Sequence, residues 1–111
     1  MKTALIQMPV IKDKAENLAR AAKEIQRAAK DGAELAILPE MFCCPYSNAS
    51  FRANAEEAGG RIHTAMAEAA RKAGLWLVAG SMPELADGKI YNTSFVFDPD
   101  GHQVAFHRKV H

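Results

Sequence analysis

Apolar residues in this chain fall into short continuous bursts, separated by stretches where they recur every three or four positions. The first burst, Thr3-Ala4-Leu5-Ile6-Gln7-Met8-Pro9, predicts a buried strand over residues 3–9, ended by Pro9, which has no N–H to give a ladder. Leu18, Ala21, Ala22, Ile25 and Ala29 then follow helical spacing, with Lys23, Glu24, Arg27 and Lys30 on the other side. Asp13 is a suitable cap for a helix starting near Lys14, and Gly32 is a natural stop. Glu34-Leu35-Ala36-Ile37-Leu38 predicts a second strand, covered on both faces as continuous apolar runs usually are. Residues 39–59 read as irregular, with helical character around 51–57. A second helix is predicted from Arg61 to Ala73, its stripe formed by Ile62, Met66 and Ala70 and its end marked by Gly74. Leu75-Trp76-Leu77-Val78-Ala79-Gly80 is the third strand. The fourth runs from Ile90 to Asp98 and carries Tyr91, Phe95 and Phe97 on one parity. Asp98-Pro99-Asp100-Gly101 is a turn sequence, so residues 102–107 are expected to return as the second arm of a hairpin.

The order β-α-β-α-β followed by a hairpin implies an α/β fold with a mixed sheet. Two main helices can cover one face of that sheet only. The other face is expected to need a partner subunit or further chain. The 111 residues suffice for one domain, 1–111, and no more.

Composition narrows the function classes. Hydrophobic residues make up 49% and charged residues 24%, an ordinary globular balance. With 14 basic and 13 acidic residues the net charge is +1, and no basic run argues for nucleic acid or an anionic membrane surface. The first residues make a poor signal peptide, and no stretch approaches the roughly 18 apolar residues of a membrane span. Cys43 and Cys44 are adjacent, a poor disulfide framework. A reduced, cytoplasmic protein is expected.

Two residues stand out as candidate chemistry. Glu40 follows a buried strand, and catalytic groups collect beyond the carboxyl ends of parallel strands. It reads either as a general base or as a solvated loop glutamate. Lys109 follows the apolar run ending at Phe106 and reads either as a fixed cation for an oxyanion or as part of a basic tail. Tyr46 and Asn92 are polar candidates for the same cleft. His107 and His111 have i, i+4 spacing, which brings ligands together only on a helix, so no metal site is expected. Cys43 and Cys44 read as small thiols packed against the sheet edge rather than as a nucleophile for Glu40.

Several segments, in order, resemble the nitrilase or carbon–nitrogen hydrolase superfamily. Ala4-Leu5-Ile6-Gln7-Met8 is similar to its opening strand, and Leu38-Pro39-Glu40-Met41-Phe42 to the segment carrying its catalytic glutamate. Pro45-Tyr46, Ala79-Gly80-Ser81-Met82-Pro83-Glu84 and Tyr91-Asn92-Thr93-Ser94 resemble the omega-amidase-like branch. His107-Arg108-Lys109-Val110-His111 resembles the segment carrying the catalytic lysine. The resemblance implies the N-terminal part of an α-β-β-α sandwich. It also implies that Glu40 is the general base and Lys109 the stabiliser of a tetrahedral intermediate. The implied reaction is hydrolysis of an amide or nitrile through a cysteine thioester, with no cofactor. Nothing here resembles the nucleophile segment, so this chain alone is expected to be inactive, and a homo-oligomer or a complementary C-terminal half is the expected partner. If Glu40 and Lys109 act together, their strand ends are expected side by side or one strand apart.

Overall fold

The computed structural model describes residues 1–110, Val110 by its backbone. A five-stranded mixed sheet is flanked by three helices. The strands are β1 (Thr3–Leu5), β2 (Leu35–Ile37), β3 (Trp76–Ala86), β4 (Lys89–Phe97) and β5 (Gln103–Val110). They lie in sequence order across the sheet. The first three are parallel, and β3, β4 and β5 are antiparallel neighbours.

Helix α1 (Lys14–Lys30) begins at Asp13, whose carboxylate accepts from the Glu16 N–H, and ends in a Schellman arrangement. There the Gly32 N–H bonds Ala29 O and the Ala33 N–H bonds Ala28 O, with Gly32 at φ 89°. Helix α3 (Arg61–Ala73) ends at Gly74 in the left-handed region. A short helix, α2 (Asn48–Asn54), occupies the segment read as irregular with helical character around 51–57, and Ser47 caps it. Parallel crossovers of one hand that step the same way along a sheet put their helices on the same face. Accordingly α1 and α3 pack against each other over one face, where Ile25, Ile62, Met66, Leu77, Phe95 and Phe97 form the core.

Among the described residues the opposite face has no helix across its centre. Leu5, Ile37, Val78 and Val96 form one cross-strand row there. Leu5 is 75% exposed, and Trp76 beside this row is 39% exposed. The uncovered apolar face expected from two helices and one sheet is therefore present.

The strand boundaries differ most from the sequence reading in three places, one being β5, which runs on to Val110 rather than stopping at residue 107. The first strand ends at Leu5 rather than at residue 9, its last ladder bond running from Ile6 N–H to Ile37 O. The third strand passes through Gly80, read as its end, and reaches Ala86. Gly80 marks a register irregularity, after which β3 continues beside β4. Pro83 is tolerated because its carbonyl accepts from Glu56 N–H, on the side away from β4. Its imide nitrogen points the same way, where no ladder donor is needed. Asp87 and Gly88, at φ 52° and 73°, then form a two-residue turn of the kind that matches strand twist.

Candidate active site

Glu40 sits just past the carboxyl end of β2, in a loop fastened from two sides. On the sheet side, Ser81 makes three contacts with it. The Ser81 N–H donates to Pro39 O at 3.1 Å, Ser81 O accepts from Phe42 N–H at 3.2 Å, and the Ser81 hydroxyl accepts from Met41 N–H at 3.0 Å. On the helix side, the buried Asn17 amide donates to Cys43 O at 2.9 Å. Met41 is held at φ 53°, a conformation that side chains other than glycine's seldom adopt. The loop therefore folds back over β3, burying Met41, Phe42, Cys43 and Cys44 while Glu40 is exposed on the uncovered side.

Lys109 arrives from a different direction. On β5 it stands opposite Asn92 of β4, and His107 stands opposite Ser94. Directly paired residues of a ladder share a face. These four, with Glu40, Gly80 and Ser81, line a cavity of about 150 Å³. The cavity is mostly polar, and the Asn92 amide in its wall is buried, at 6% exposure. Among the described residues no direct ion pair joins Glu40 to Lys109.

Tyr46 lies outside the cavity lining. The neighbouring Glu40 carboxylate pushes its phenol pKa above the ordinary value, and its ring packs edge-on against Phe51 at 5.1 Å. Strand adjacency is a correction. β3 and β4 both separate β2 from β5, so the Glu40 and Lys109 strand ends are neither side by side nor one strand apart. They meet because the Glu40 loop reaches across β3 onto Ser81.

Neither cysteine reaches the cavity. Cys43 and Cys44 are free, buried thiols. The neighbouring Cys44 thiol, together with burial, pushes the Cys43 pKa far up. The Cys43 thiol draws Cys44 down, and Lys14 adds to that effect. His107 is on a strand, and His111 lies outside the described residues. Asp98, Asp100 and His102 cluster at the hairpin turn, but two Asp98 contacts there are explained by the turn itself, with Asp100 N–H and His102 N–H both donating to its carboxylate.

One buried group escaped the sequence reading. Glu84, on the helix-side face and 1% exposed, accepts from the Thr93 hydroxyl at 2.7 Å. It also receives both arms of Arg108, Nε at 2.7 Å and the terminal nitrogen at 2.9 Å. Arg108 sits next to Lys109 but on the opposite face. The only sequence signal for the pair was alternation along a strand.

The sequence profile of the carbon-nitrogen hydrolase family matches residues 2–111. The chain belongs to the carbon-nitrogen hydrolase family. It is 44% identical over 110 residues to the omega-amidase NIT2 of Danio rerio, which covers 99% of this chain and 40% of that protein. The structure is similar to that of Saccharomyces cerevisiae Nit3, a member of branch 10 of the nitrilase superfamily. That match has a TM-score of 0.90 at 39% identity and covers 100% of this chain and 44% of the other. It is also similar to an amidase from Nesterenkonia sp. AN1, with a TM-score of 0.86 at 26% identity over 100% of this chain and 44% of that one. The Nesterenkonia structure shows acrylamide added to its active-site cysteine. This carbon-nitrogen hydrolase chain thus spans about two-fifths of the length of the relatives it matches.

Proposed function

We propose that this chain supplies the base and the cation of an amide- or nitrile-hydrolysing site whose thiol comes from outside these 111 residues. The observation that carries the reading is the single cavity lined by Glu40, Asn92 and Lys109. In the proposed reaction a cysteine thiol gives its proton to Glu40 as its sulfur attacks the carbonyl carbon of a small amide. The Lys109 ammonium holds the negative charge that develops on the carbonyl oxygen. Asn92, opposite Lys109, offers an amide to the same oxygen or to the substrate nitrogen. Collapse of the tetrahedral intermediate breaks the C–N bond, and the nitrogen leaves as ammonia with the proton that Glu40 took. Water, deprotonated by Glu40, then attacks the thioester, releasing the acid and restoring the thiol. The Tyr46 phenol, close enough to feel the Glu40 charge, orients the carboxylate. The reaction needs no cofactor, and the two free thiols fit a reducing, cytoplasmic setting.

The buried state of Cys43 and Cys44 supports the reading that the chain alone is inactive. The purified chain is expected to release no ammonia from short-chain dicarboxylic monoamides or simple nitriles. Turnover abolished by alkylating its cysteines would overturn the proposal.

The uncovered face with Leu5 and Trp76 supports a second reading, a half-sandwich that pairs with another copy or with a complementary C-terminal half. Sedimentation at micromolar concentration is expected to show self-association; a monomer that binds no hydrophobic dye would exclude it.

A further inference from the structure

We propose that Arg108 and Glu84 are positioning residues: their ion pair fixes the register of β5 and so delivers Lys109 to the cavity. The inference rests on the proposed role of Lys109 only for its consequence; the register itself is testable without any catalysis.

Register is a demanding requirement here. Side chains alternate faces along a strand, so a slip of one residue sends Lys109 to the helix side and Arg108 into the cavity. Among the described residues β5 pairs with one neighbour only, β4. At its start, register is set by the Asp98–Gly101 turn, where the Gly101 N–H bonds Asp98 O at 2.9 Å. That control does not extend along the strand, because a register shift at Val96/Phe97 intervenes between the turn and the Asn92–Lys109 pair. The far end therefore needs a lock of its own.

The Arg108 contact has the properties of one. Arg108 stands opposite Thr93, and its guanidinium passes over β4 to reach Glu84 on β3, so one side chain ties three strands together. The contact is bidentate, which fixes angle as well as distance. The guanidinium also lies over the rings of Phe106, at 4.8 Å, and Tyr91, at 5.4 Å. Glu84 is buried with no other cation bonded to it among the described residues. A slipped β5 would leave its charge uncompensated, which makes the wrong registers costly as well as the right one favourable. The adjacent Arg108-Lys109 pair thus divides its work between faces, one residue anchoring and the other facing the cavity.

Residue-resolved amide exchange and cross-strand NOEs on the 111-residue chain test this. Glu84→Gln keeps side-chain volume and leaves no uncompensated buried charge, so it preserves the rest of the sheet. In Glu84→Gln and Arg108→Ala, exchange in residues 103–109 is expected to rise about ten-fold or more while residues 77–79 are unchanged. The Asn92–Lys109 NOEs should vanish, and Arg108→Lys should restore them in part. If Glu84→Gln keeps those NOEs and the protection of β5, the proposal is wrong. Uniform loss of protection in β3, β4 and β5 would also overturn it, by showing that the pair stabilises without positioning. Neither outcome bears on whether Lys109 acts in hydrolysis, because the register is read without any turnover.

Discussion

Ser81→Ala removes one oxygen from the point where the Glu40 loop is fastened to the sheet. The hydroxyl is the acceptor for Met41 N–H at 3.0 Å, and both residues are buried, at 4% and 1% exposure. Water cannot replace the lost acceptor readily, so the N–H pays its desolvation cost, about 1–3 kcal/mol. The two backbone bonds from Ser81 to Pro39 and Phe42 do not involve the side chain and survive. The loop should stay attached while Met41 leaves its left-handed conformation. Urea unfolding followed by the fluorescence of Trp76, the single tryptophan, measures the effect. With a slope of about 1–3 kcal/mol per molar urea, the midpoint should fall by about 1 M. The same variant should loosen the Tyr46–Glu40 contact, which lowers the tyrosine pKa toward its ordinary value, seen in the ultraviolet titration of the phenols. A midpoint unchanged within error, with the Tyr46 titration unmoved, would refute the claim that the hydroxyl holds Glu40 in place.

Gly80→Ala should destabilise by about 1–3 kcal/mol, because a Cβ there would lie 2.4 Å from the Ser94 hydroxyl. Adding Ser94→Ala should recover part of the loss, and additive effects in the double mutant would contradict the contact. The Glu84 carboxyl is held below its ordinary pKa of 4.5, first by the hydrogen bonds from Arg108 and also by the Thr93 hydroxyl. Its stabilising contribution is therefore full above pH 4.5 and falls as pH drops toward the lowered folded value. Between these limits the wild type should lose stability faster than Glu84→Gln, and parallel urea midpoints across that window would show that the pair contributes nothing.

Much of the architecture was legible because it is written in local signals. Asp13, Gly32 and Gly74 act at the helix ends where capping chemistry places them, and the stripes of α1 and α3 face the sheet as their spacing requires. The uncovered face followed from counting helices against faces. What was misread depended on partners distant in sequence. Gly80 looks like a strand end because glycine interrupts an apolar run, yet β4 continues to pair beyond it. Asp87-Gly88 carried a turn signal that the reading passed over. Glu84 and Arg108 are 24 residues apart, and neither has an apolar pattern that betrays burial. The site shows the same division. A carboxylate after a buried strand marked Glu40, and a basic strand end marked Lys109. That they line one cavity depends on Ser81, 40 residues from Met41, drawing the loop over β3.

The central claim is that Glu40 and Lys109 face each other across one small cavity, and the ε-carbon NMR shift of Lys109 tests it directly. At a fixed neutral pH, Glu40→Gln in the 111-residue chain should shift that resonance while the backbone amides of residues 77–79 stay where they are. A Lys109 resonance that does not move on Glu40→Gln would mean that the two charges do not share a site.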